Sequence, residues 1–430
     1  MQEGGEKVHK IIKYFFTITS NSLLYFGDSG AGEIIKDADG KPMIFGNSIG
    51  GSIRNYFESI DVPDDKITAF MGSNKNENFD QSRIYISDGE FECNLTIYKK
   101  EGTKINAEFG SAESHEKYEI ECIPEDSILK FQIECEVDKE ADEVELEKLM
   151  IKLADGFDKK EFLLGGQKNN GFGSFKDIKL EKSIYEFKTC KDVDEYICGK
   201  KVKREPVNFS IDNNESQKLT ISMKGCFPYG VYQNFDLNLG KNITGIQKYK
   251  NIDDKFYIPG SSIKGIVKNG VVLLIKRFIV NNDNKVQEKI DEMFGNNSSK
   301  GKIRFSDVIV DSNKDNIKEY CYIKIDRLTG NAMDKAIKNQ QEIEGQATVS
   351  VTINAKHETK YIFPICYIMK NIAIGNIPIG GRTGIGLGEF NAKEIYIDSK
   401  PFKIADGSLI DDKNRTIEEY FNQFKRWCDK

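Results

Sequence analysis

The order of apolar and polar positions divides the chain into short strand-like runs and a few helical stretches. β-Branched and aromatic residues predict strands at Tyr14–Thr19 and Leu219–Met223. Apolar residues recur with helical spacing over Ile49–Phe57 and Ile263–Phe278. A further stretch, Ile417–Trp427, carries its apolar residues on one face, which predicts a C-terminal helix packed on the second half of the chain. The mixture indicates an α+β fold.

Three motifs occur twice, in the same order, about half a chain apart. The matched pairs are Ile44–Arg54 with Ile258–Lys268, Arg83–Asp88 with Lys302–Asp307, and Leu163–Phe175 with Pro378–Phe390. Such self-similarity predicts two copies of one domain. We place the first in residues 1–200 and the second in residues 201–430, with a polar linker near 196–216. The βαββ-type order of elements in each copy predicts a ferredoxin-like sheet with helices on one face. Thr17 aligns with Thr220, which makes the loop that follows 11 residues longer in the second copy.

Composition limits the chemistry that the chain can perform. It has 430 residues, 39% of them hydrophobic, and a net charge of −6, so any basic surface must be local. Nine scattered cysteines without a CxxC pair predict free thiols rather than a zinc site, and three separated histidines offer little for metal or acid–base chemistry. There is no long apolar run and no leader, so we expect a cytoplasmic protein without a membrane partner.

Each copy contains a Gly-x-Ser turn at the start of a helix. With the serine as N-cap, free amides and the positive helix end would form a seat for a phosphate, and basic residues follow along the helix. An ordinary helix cap is the alternative for one occurrence, but the repetition favours the phosphate seat. The residues of these candidate phosphate seats are Gly46, Ser48 and Arg54 in the first copy and Gly260, Ser262, Lys264 and Lys268 in the second.

A glycine-rich segment comes near the end of each copy. Glycines at this density allow a backbone to approach a ligand closely, and an adjacent cation would bind phosphate. The alternative is a loop that packs tightly on the sheet. The candidate phosphate-binding residues here are Gly165, Gly166 and Lys168 in the first copy and Gly380, Gly381 and Arg382 in the second.

A polar excursion interrupts the core strands of each copy, over 105–118 in the first and 325–345 in the second. Its apolar residues stand beside basic ones such as Arg327. A hairpin of this kind could insert an apolar tip into a nucleic-acid duplex, or it could be a solvated surface hairpin.

Together these motifs resemble the RAMP superfamily, and specifically the Csm/Cmr-type backbone subunits of type III CRISPR effector complexes. The second copy matches at every motif, whereas the first is diverged, with Gly50-Gly51 in place of Lys264-Gly265. The resemblance implies two tandem RRM-like domains, each with an inserted thumb hairpin. It implies a fused double backbone subunit that grips guide-RNA phosphates and kinks the guide–target duplex. The implied partners are CRISPR guide RNA, target RNA and other type III effector subunits.

The same resemblance suggests candidate catalytic residues. In that family an aspartate in the loop after the first strand promotes metal-dependent cleavage of target RNA, so Asp236 and, in the shorter loop, Asp28 are the candidates, with Mg²⁺ as the implied cofactor and Asp236 as its possible ligand. Two other roles remain open: an endoribonuclease that processes guide RNA, and a subunit that caps one end of the same complex.

Overall fold

The structure is a computed structural model that describes residues 9–27, 32–73, 81–92, 95, 97–105, 112–200, 202–209, 218–232, 243–244, 256–280, 282–296, 299–311, 316–354, 357–412 and 414–430. Within these ranges the side chains at 101–105, 112–118, 243–244 and 334–339 are not described. The chain divides into two compact units. The first is built from Met1–Gly102, Lys117–Lys168 and Phe172–Asn214, and the main body of the second is Glu215–Lys430.

The first copy contains nine strands and four helices within its described residues. The strands are β1 (Lys10–Ser20), β2 (Met43–Ile44), β3 (Ile84–Ile86), β4 (Gly89–Phe91), β5 (Tyr98–Ile105), β6 (Ala112–Cys122), β7 (Ile128–Val137), β8 (Phe175–Glu186) and β9 (Glu205–Pro206). The helices are α1 (Gly46–Ser59), α2 (Asp64–Met71), α3 (Glu140–Asp158) and α4 (Cys190–Ile197).

The central strand β1 organises the first sheet, whose order is β2-β4-β7-β1-β8-β9 with β3 also paired to β7. Ile12, Tyr14, Phe16 and Ile18 alternate with partly exposed residues and are buried, as expected for a sheet covered on one face. The ring of Phe16 stacks on that of Phe131 at 4.9 Å between centroids. The order β1–α1–β3/β4–β7–α3–β8 gives the ferredoxin-like βαββαβ arrangement, and the β5–β6 hairpin is inserted before β7.

The second copy repeats this plan with a longer hairpin. Its strands are β10 (Leu219–Val231), β11 (Ile243–Thr244), β12 (Phe256–Ile258), β13 (Ile303–Phe305), β14 (Val308–Asp311), β15 (Ile317–Ile325), β16 (Ala332–Ile353), β17 (Asn391–Ala392), β18 (Glu394–Ile397), β19 (Lys400–Ala405) and β20 (Ser408–Leu409). Its helices are α5 (Gly260–Lys276), α6 (Asp283–Phe294), α7 (Ile362–Ala373) and α8 (Thr416–Asp429). The sheet order is β12-β14-β16-β10-β18-β19-β20.

Strand β16 belongs to both the core sheet and the hairpin. Residues from Ile343 to Ile353 pair with β10 in the core sheet, while the first part of the strand pairs with β15 to form the hairpin. The hairpin is therefore continuous with the core through one unbroken strand. The α+β fold of two tandem ferredoxin-like domains, each with an inserted hairpin, is confirmed.

The predicted C-terminal helix is α8, and it packs on the second copy. The ring of Phe424 is fully buried and lies 5.3 Å from that of Phe278. Trp427 Nε1 donates a hydrogen bond of 2.8 Å to Glu292 Oε2 on α6. This expectation is confirmed.

The predicted alignment of Thr17 with Thr220 is wrong by four residues. In the first sheet Thr19 pairs with Lys176. The counterpart of Lys176 in the second copy is Asn391, and Asn391 pairs with Cys226. Cys226 is therefore the counterpart of Thr19. The offset is therefore 207 positions before the loop and 214 after it, so the second loop is seven residues longer rather than 11. A shift of four preserves the alternation of inward and outward side chains, so the apolar pattern could not reveal it.

The segment after β8 is part of the first unit. Strand β9 pairs with β8, and the guanidinium of Arg204 lies 3.7 Å from the ring centroid of Phe15 on β1. The two units meet in sequence between Asn214 and Glu215.

Candidate nucleic-acid interface

The glycine at the start of α1 is joined to the Ser-Asp motif. The amide of Gly46 donates a hydrogen bond of 2.7 Å to Asp88 Oδ1. A Cβ atom at residue 46 would lie 2.2 Å from the carbonyl oxygen of Ile86, so no side chain fits between the helix and the end of β3. Two motifs that stand far apart in sequence therefore form one junction, in which a carboxylate neutralises the positive end of the helix.

The second copy has the same junction. The amide of Gly260 donates to Asp307 Oδ1 at 2.5 Å, and a Cβ at residue 260 would lie 2.5 Å from the carbonyl oxygen of Phe305. The contacts place Ile86 at the same point as Phe305, and therefore Tyr85 at the same point as Arg304. This equivalence determines which side chains surround the two helix starts.

Ser48 and Ser262 are not helix N-caps, contrary to the prediction. The N-caps are Phe45 and Pro259, and neither makes a side-chain capping bond. The serine amides donate to the carbonyls of these residues, at 3.0 Å from Ser48 to Phe45 and 2.9 Å from Ser262 to Pro259. Because an aspartate from a neighbouring strand caps each helix, the chain is already helical two residues before the serine. An anion at this site would depend on the nearby cations more than on the first-turn amides.

The second copy places two lysines one turn apart near the start of α5. Burial lowers the pKa of Lys264, and the neighbouring charge of Lys268 lowers it further. No carboxylate among the described residues forms an ion pair with either amine. Two like charges held one turn apart repel each other, which favours the binding of an anion between them.

A third cation, Arg304, stands on β13. Burial lowers the pKa of its guanidinium, although Asp307 acts in the opposite direction. Its Nε is buried and has no hydrogen-bond partner within the described part of the chain. A buried guanidinium donor without an acceptor is costly, and a bound phosphate or base edge would satisfy it.

The corresponding positions in the first copy surround an open cleft of about 410 Å³ between α1 and β3. Its lining includes Gly50, Gly51, Arg54 and Tyr85. Gly50 corresponds to Lys264, and Tyr85 to Arg304. The first copy therefore has only one of the three cations at the equivalent positions.

Arg54, predicted to bind RNA, is engaged within the protein. Its Nη2 donates to the carbonyl oxygens of Met71 and Gly72, at 2.6 and 2.7 Å. These carbonyls belong to the end of α2, so the guanidinium stabilises the negative end of that helix.

The glycine-rich segments dock onto the ends of the central strands. Gly166 donates its amide to the carbonyl of Tyr25 at 2.8 Å, and Gly381 donates to that of Tyr232 at 2.6 Å. Gly165 has a φ of +91° and Gly380 a φ of +94°, values that favour glycine. The docked amides are committed within the protein, so a contact with RNA at this loop would come from the adjacent cation.

That cation is Lys168 in the first copy and Arg382 in the second. Lys168 begins a short 3₁₀ turn and is partly buried. The guanidinium of Arg382 lies 5.3 Å from the ring centroids of both Tyr232 and Tyr322. The Tyr322 hydroxyl in turn donates to Glu342 Oε1 at 2.6 Å, which fixes the ring. Arg382 is thus held in a defined position by two aromatic rings.

The hairpin of the second copy ends in an exposed apolar residue. The carboxylate of Asp326 accepts bonds from the amides of Leu328 and Thr329, at 2.7 and 3.1 Å, and these bonds lower its pKa. The turn leaves the side chain of Leu328 95% exposed, with Arg327 also exposed beside it. In the first copy, the tip at 106–111 lies outside the described residues.

The family model for the RAMP superfamily matches residues 19–176 and 241–391, more than two thirds of the chain. The chain belongs to the RAMP superfamily. Each copy can therefore be called a RAMP domain, and the inserted hairpins their thumbs.

A cryo-EM structure of the type III-B Cmr-beta complex bound to cognate target RNA contains a chain similar to this one, at 20% sequence identity and a TM-score of 0.33. The match covers 42% of this chain and 61% of that one. No curated protein matches the sequence.

The predicted catalytic aspartates lie in the loops that follow the central strands of the RAMP domains. Asp28 and Asp236 fall outside the described residues, and their roles stay predictions. In the corrected alignment Tyr25 and Tyr232 are equivalent. Asp28 follows Tyr25 by three residues, and Asp236 follows Tyr232 by four. The two aspartates are thus near-equivalent in sequence position.

The described residues contain no cluster of three or more histidine, cysteine or acidic side chains able to hold a metal ion. None of the helices within the same ranges is long and apolar enough to span a membrane.

Proposed function

We propose that this chain is a double backbone subunit of a type III CRISPR effector complex that binds guide RNA. The observation that carries the proposal is the cationic group of the second RAMP domain, formed by Lys264, Lys268 and Arg304; the Nε of Arg304 is buried and has no hydrogen-bond acceptor within the described residues. A sugar–phosphate strand supplies the repeated negative charge that such a group requires.

The glycine-rich loop carries a further cation. The guanidinium of Arg382 lies 5.3 Å from the ring centroids of both Tyr232 and Tyr322, which hold it in place, and a guanidinium can make a bidentate contact with a phosphate. With a net charge of −6 over the whole chain, these local cations rather than the general surface account for RNA binding.

The thumb supplies the contact with paired RNA. Leu328 at its tip is almost fully exposed, which is costly in water and favourable if the side chain inserts between stacked bases. We infer that the thumb of the second RAMP domain wedges into the guide–target duplex, and that other subunits of the complex contact the remaining surfaces.

A binding titration of the full chain with a synthetic single-stranded RNA tests the proposal. Lys268→Glu and Arg382→Glu should each weaken binding roughly ten- to a hundredfold, since a charge-assisted contact is worth about 1.5–3 kcal/mol. Each should also reduce the slope of log affinity against log salt concentration by about 0.7, the value for one phosphate contact on a single strand.

The matched control is Lys276→Glu, at the far end of the same helix. Lys276 forms an exposed ion pair of 3.1 Å with Asp283, so its loss makes the same change in net charge at small cost to stability. Equal weakening by the control and by Lys268→Glu, or no weakening by any variant, would show that the cationic group does not bind RNA.

A further inference from the structure

The two RAMP domains present different surfaces at the same place. In the second domain, the site between α5 and β13 carries Lys264 and Arg304. In the first, Gly50 and Tyr85 stand at those positions and line the 410 Å³ cleft between α1 and β3. The first site keeps Arg54 but lacks the two cations that Lys264 and Arg304 supply in the second.

Uncharged residues line the first cleft beside Arg54. Tyr85 is 52% exposed, although it stands on a core strand. Gly50 and Gly51 line the same cleft without side chains, and a Cβ at residue 51 would meet no atom within 4 Å. An exposed aromatic residue and bare helix backbone in one cleft form a slot that has room for a planar group.

Polar donors stand at the edge of this slot. The Nη2 of Arg54 is fixed by the carbonyls of Met71 and Gly72, and the residue also lines the cleft. Asn47 is exposed at the same cleft and adds a side-chain amide. These groups suit the hydrogen-bonding edge of a heterocycle better than a phosphate, which would require more charge.

We propose that the cleft of the first RAMP domain binds a nucleobase of the RNA, stacked on Tyr85, whereas the equivalent site of the second domain binds phosphate. This inference rests on the proposed function, because it requires that both domains bind the guide RNA. The first domain then fixes the register of the strand through a base, and the second supplies salt-dependent affinity.

The first experiment replaces the ring. The full chain, with Tyr85→Ala or Tyr85→Phe, is titrated with single-stranded RNA at several salt concentrations. Stacking on an aromatic side chain predicts about a five- to 150-fold loss of affinity for Tyr85→Ala and little loss for Tyr85→Phe. The salt slope should stay unchanged for both variants, since no phosphate contact is removed. Unchanged affinity for Tyr85→Ala, or a reduced salt slope, would overturn the proposal.

The second experiment fills the slot. Gly51→Leu adds a side chain to an exposed helix position where there is space, so thermal stability should be kept or increased while RNA affinity falls. The counterpart in the second domain, Gly265→Leu, is the matched variant because a Cβ there also meets nothing within 4 Å. A Gly51→Leu protein that is folded and binds RNA as tightly as the unaltered chain would exclude the cleft as a base site.

An RNA series with single abasic nucleotides identifies the stacked base. One abasic position should weaken binding to the unaltered chain and have no further effect on the Tyr85→Ala variant. If Lys268→Glu weakens binding but the Tyr85 variants and the abasic series do not, the base site fails and the phosphate site stands. If Lys268→Glu has no effect, the proposed function itself fails.

Discussion

The amide of Gly260 and the carboxylate of Asp307 are joined by a 2.5 Å hydrogen bond, across 47 residues of sequence. Gly46 and Asp88 repeat this relationship at 2.7 Å in the first RAMP domain. In each domain the bond fastens the start of a helix to the end of a strand. The same strand end carries the residue, Arg304 or Tyr85, that distinguishes the two candidate RNA sites.

Removal of the capping carboxylate should destabilise each domain. Asp88→Ala deprives the first amide of α1 of its acceptor and removes a negative charge from the positive helix end. We expect a loss of about 1–2 kcal/mol in the free energy of unfolding, measured by urea denaturation. Glu90→Ala, at an exposed position on the adjacent strand β4, is the control and should have a much smaller effect. Equal losses for the two variants would contradict the capping role.

The glycine at the helix start should tolerate no side chain. Gly260→Ala places a Cβ 2.5 Å from a backbone carbonyl oxygen, so the helix must shift, at a cost of about 1–3 kcal/mol or more. Gly265→Ala on the same helix meets nothing within 4 Å and should increase stability by about 0.5–1 kcal/mol. Opposite signs in thermal or urea unfolding are the expected result, and a harmless Gly260→Ala would argue against the close approach.

The contact of α8 with α6 should make stability depend on acid pH. Burial alone would raise the pKa of Glu292, but hydrogen bonds from Lys360, Trp427 and Tyr361 outweigh it and lower that pKa to about 2. Because the folded-state pKa lies below the ordinary value of 4.5, the stabilisation is fully present above pH 4.5. It is lost as the pH falls from 4.5 towards 2.

Glu292→Gln tests this linkage. The variant should be less stable than the unaltered chain at pH 7, and the difference between them should shrink as the pH is lowered from 4.5 towards 2, as measured by urea midpoints. Glu288→Gln, exposed on the same helix, should follow the unaltered chain across the range. A difference that stays constant with pH would rule out ionised Glu292 as the source.

Asp236 is expected to support metal-dependent cleavage of target RNA. Carboxylate oxygens are preferred ligands of Mg²⁺, so Asp236→Asn should abolish Mg²⁺-dependent cleavage by the assembled complex while guide-RNA affinity is retained. Asp28→Asn tests the near-equivalent position in the first RAMP domain. Cleavage products are measured on a labelled target with and without Mg²⁺, and full residual cleavage by the Asp236→Asn complex would refute this role.

The apolar face of Ile417–Trp427 was sufficient to predict the C-terminal helix. The repeated motifs were sufficient to predict two tandem domains and their fold, because each motif marks a junction that the fold needs twice. They could not show what the junctions are. The serines suggested local caps, whereas Asp88 and Asp307 cap the helices from another strand. That distant bond leaves no signal in helical periodicity.

The candidate site was predicted only in part, because some of its residues come together only in the folded sheet. Lys264 and Lys268 are visible on one helix face, one turn apart. Arg304 and Tyr85 were missed, since a residue on a short strand acquires its role only when the sheet brings it beside the helix. The alignment of the repeats across Arg83–Asp88 could have supplied the signal, because it pairs a tyrosine with an arginine at an outward position.

Tyr232 connects the two parts of the proposed function. Its carbonyl receives the glycine-rich loop, its ring lies beside Arg382, and the chain continues from it towards Asp236. If Arg382 grips RNA and Asp236 supports cleavage as proposed, a change that displaces Tyr232 would impair both. Defects caused by altering Tyr232 could then not be assigned to RNA binding or to cleavage alone, so the two must be tested separately at Arg382 and Asp236.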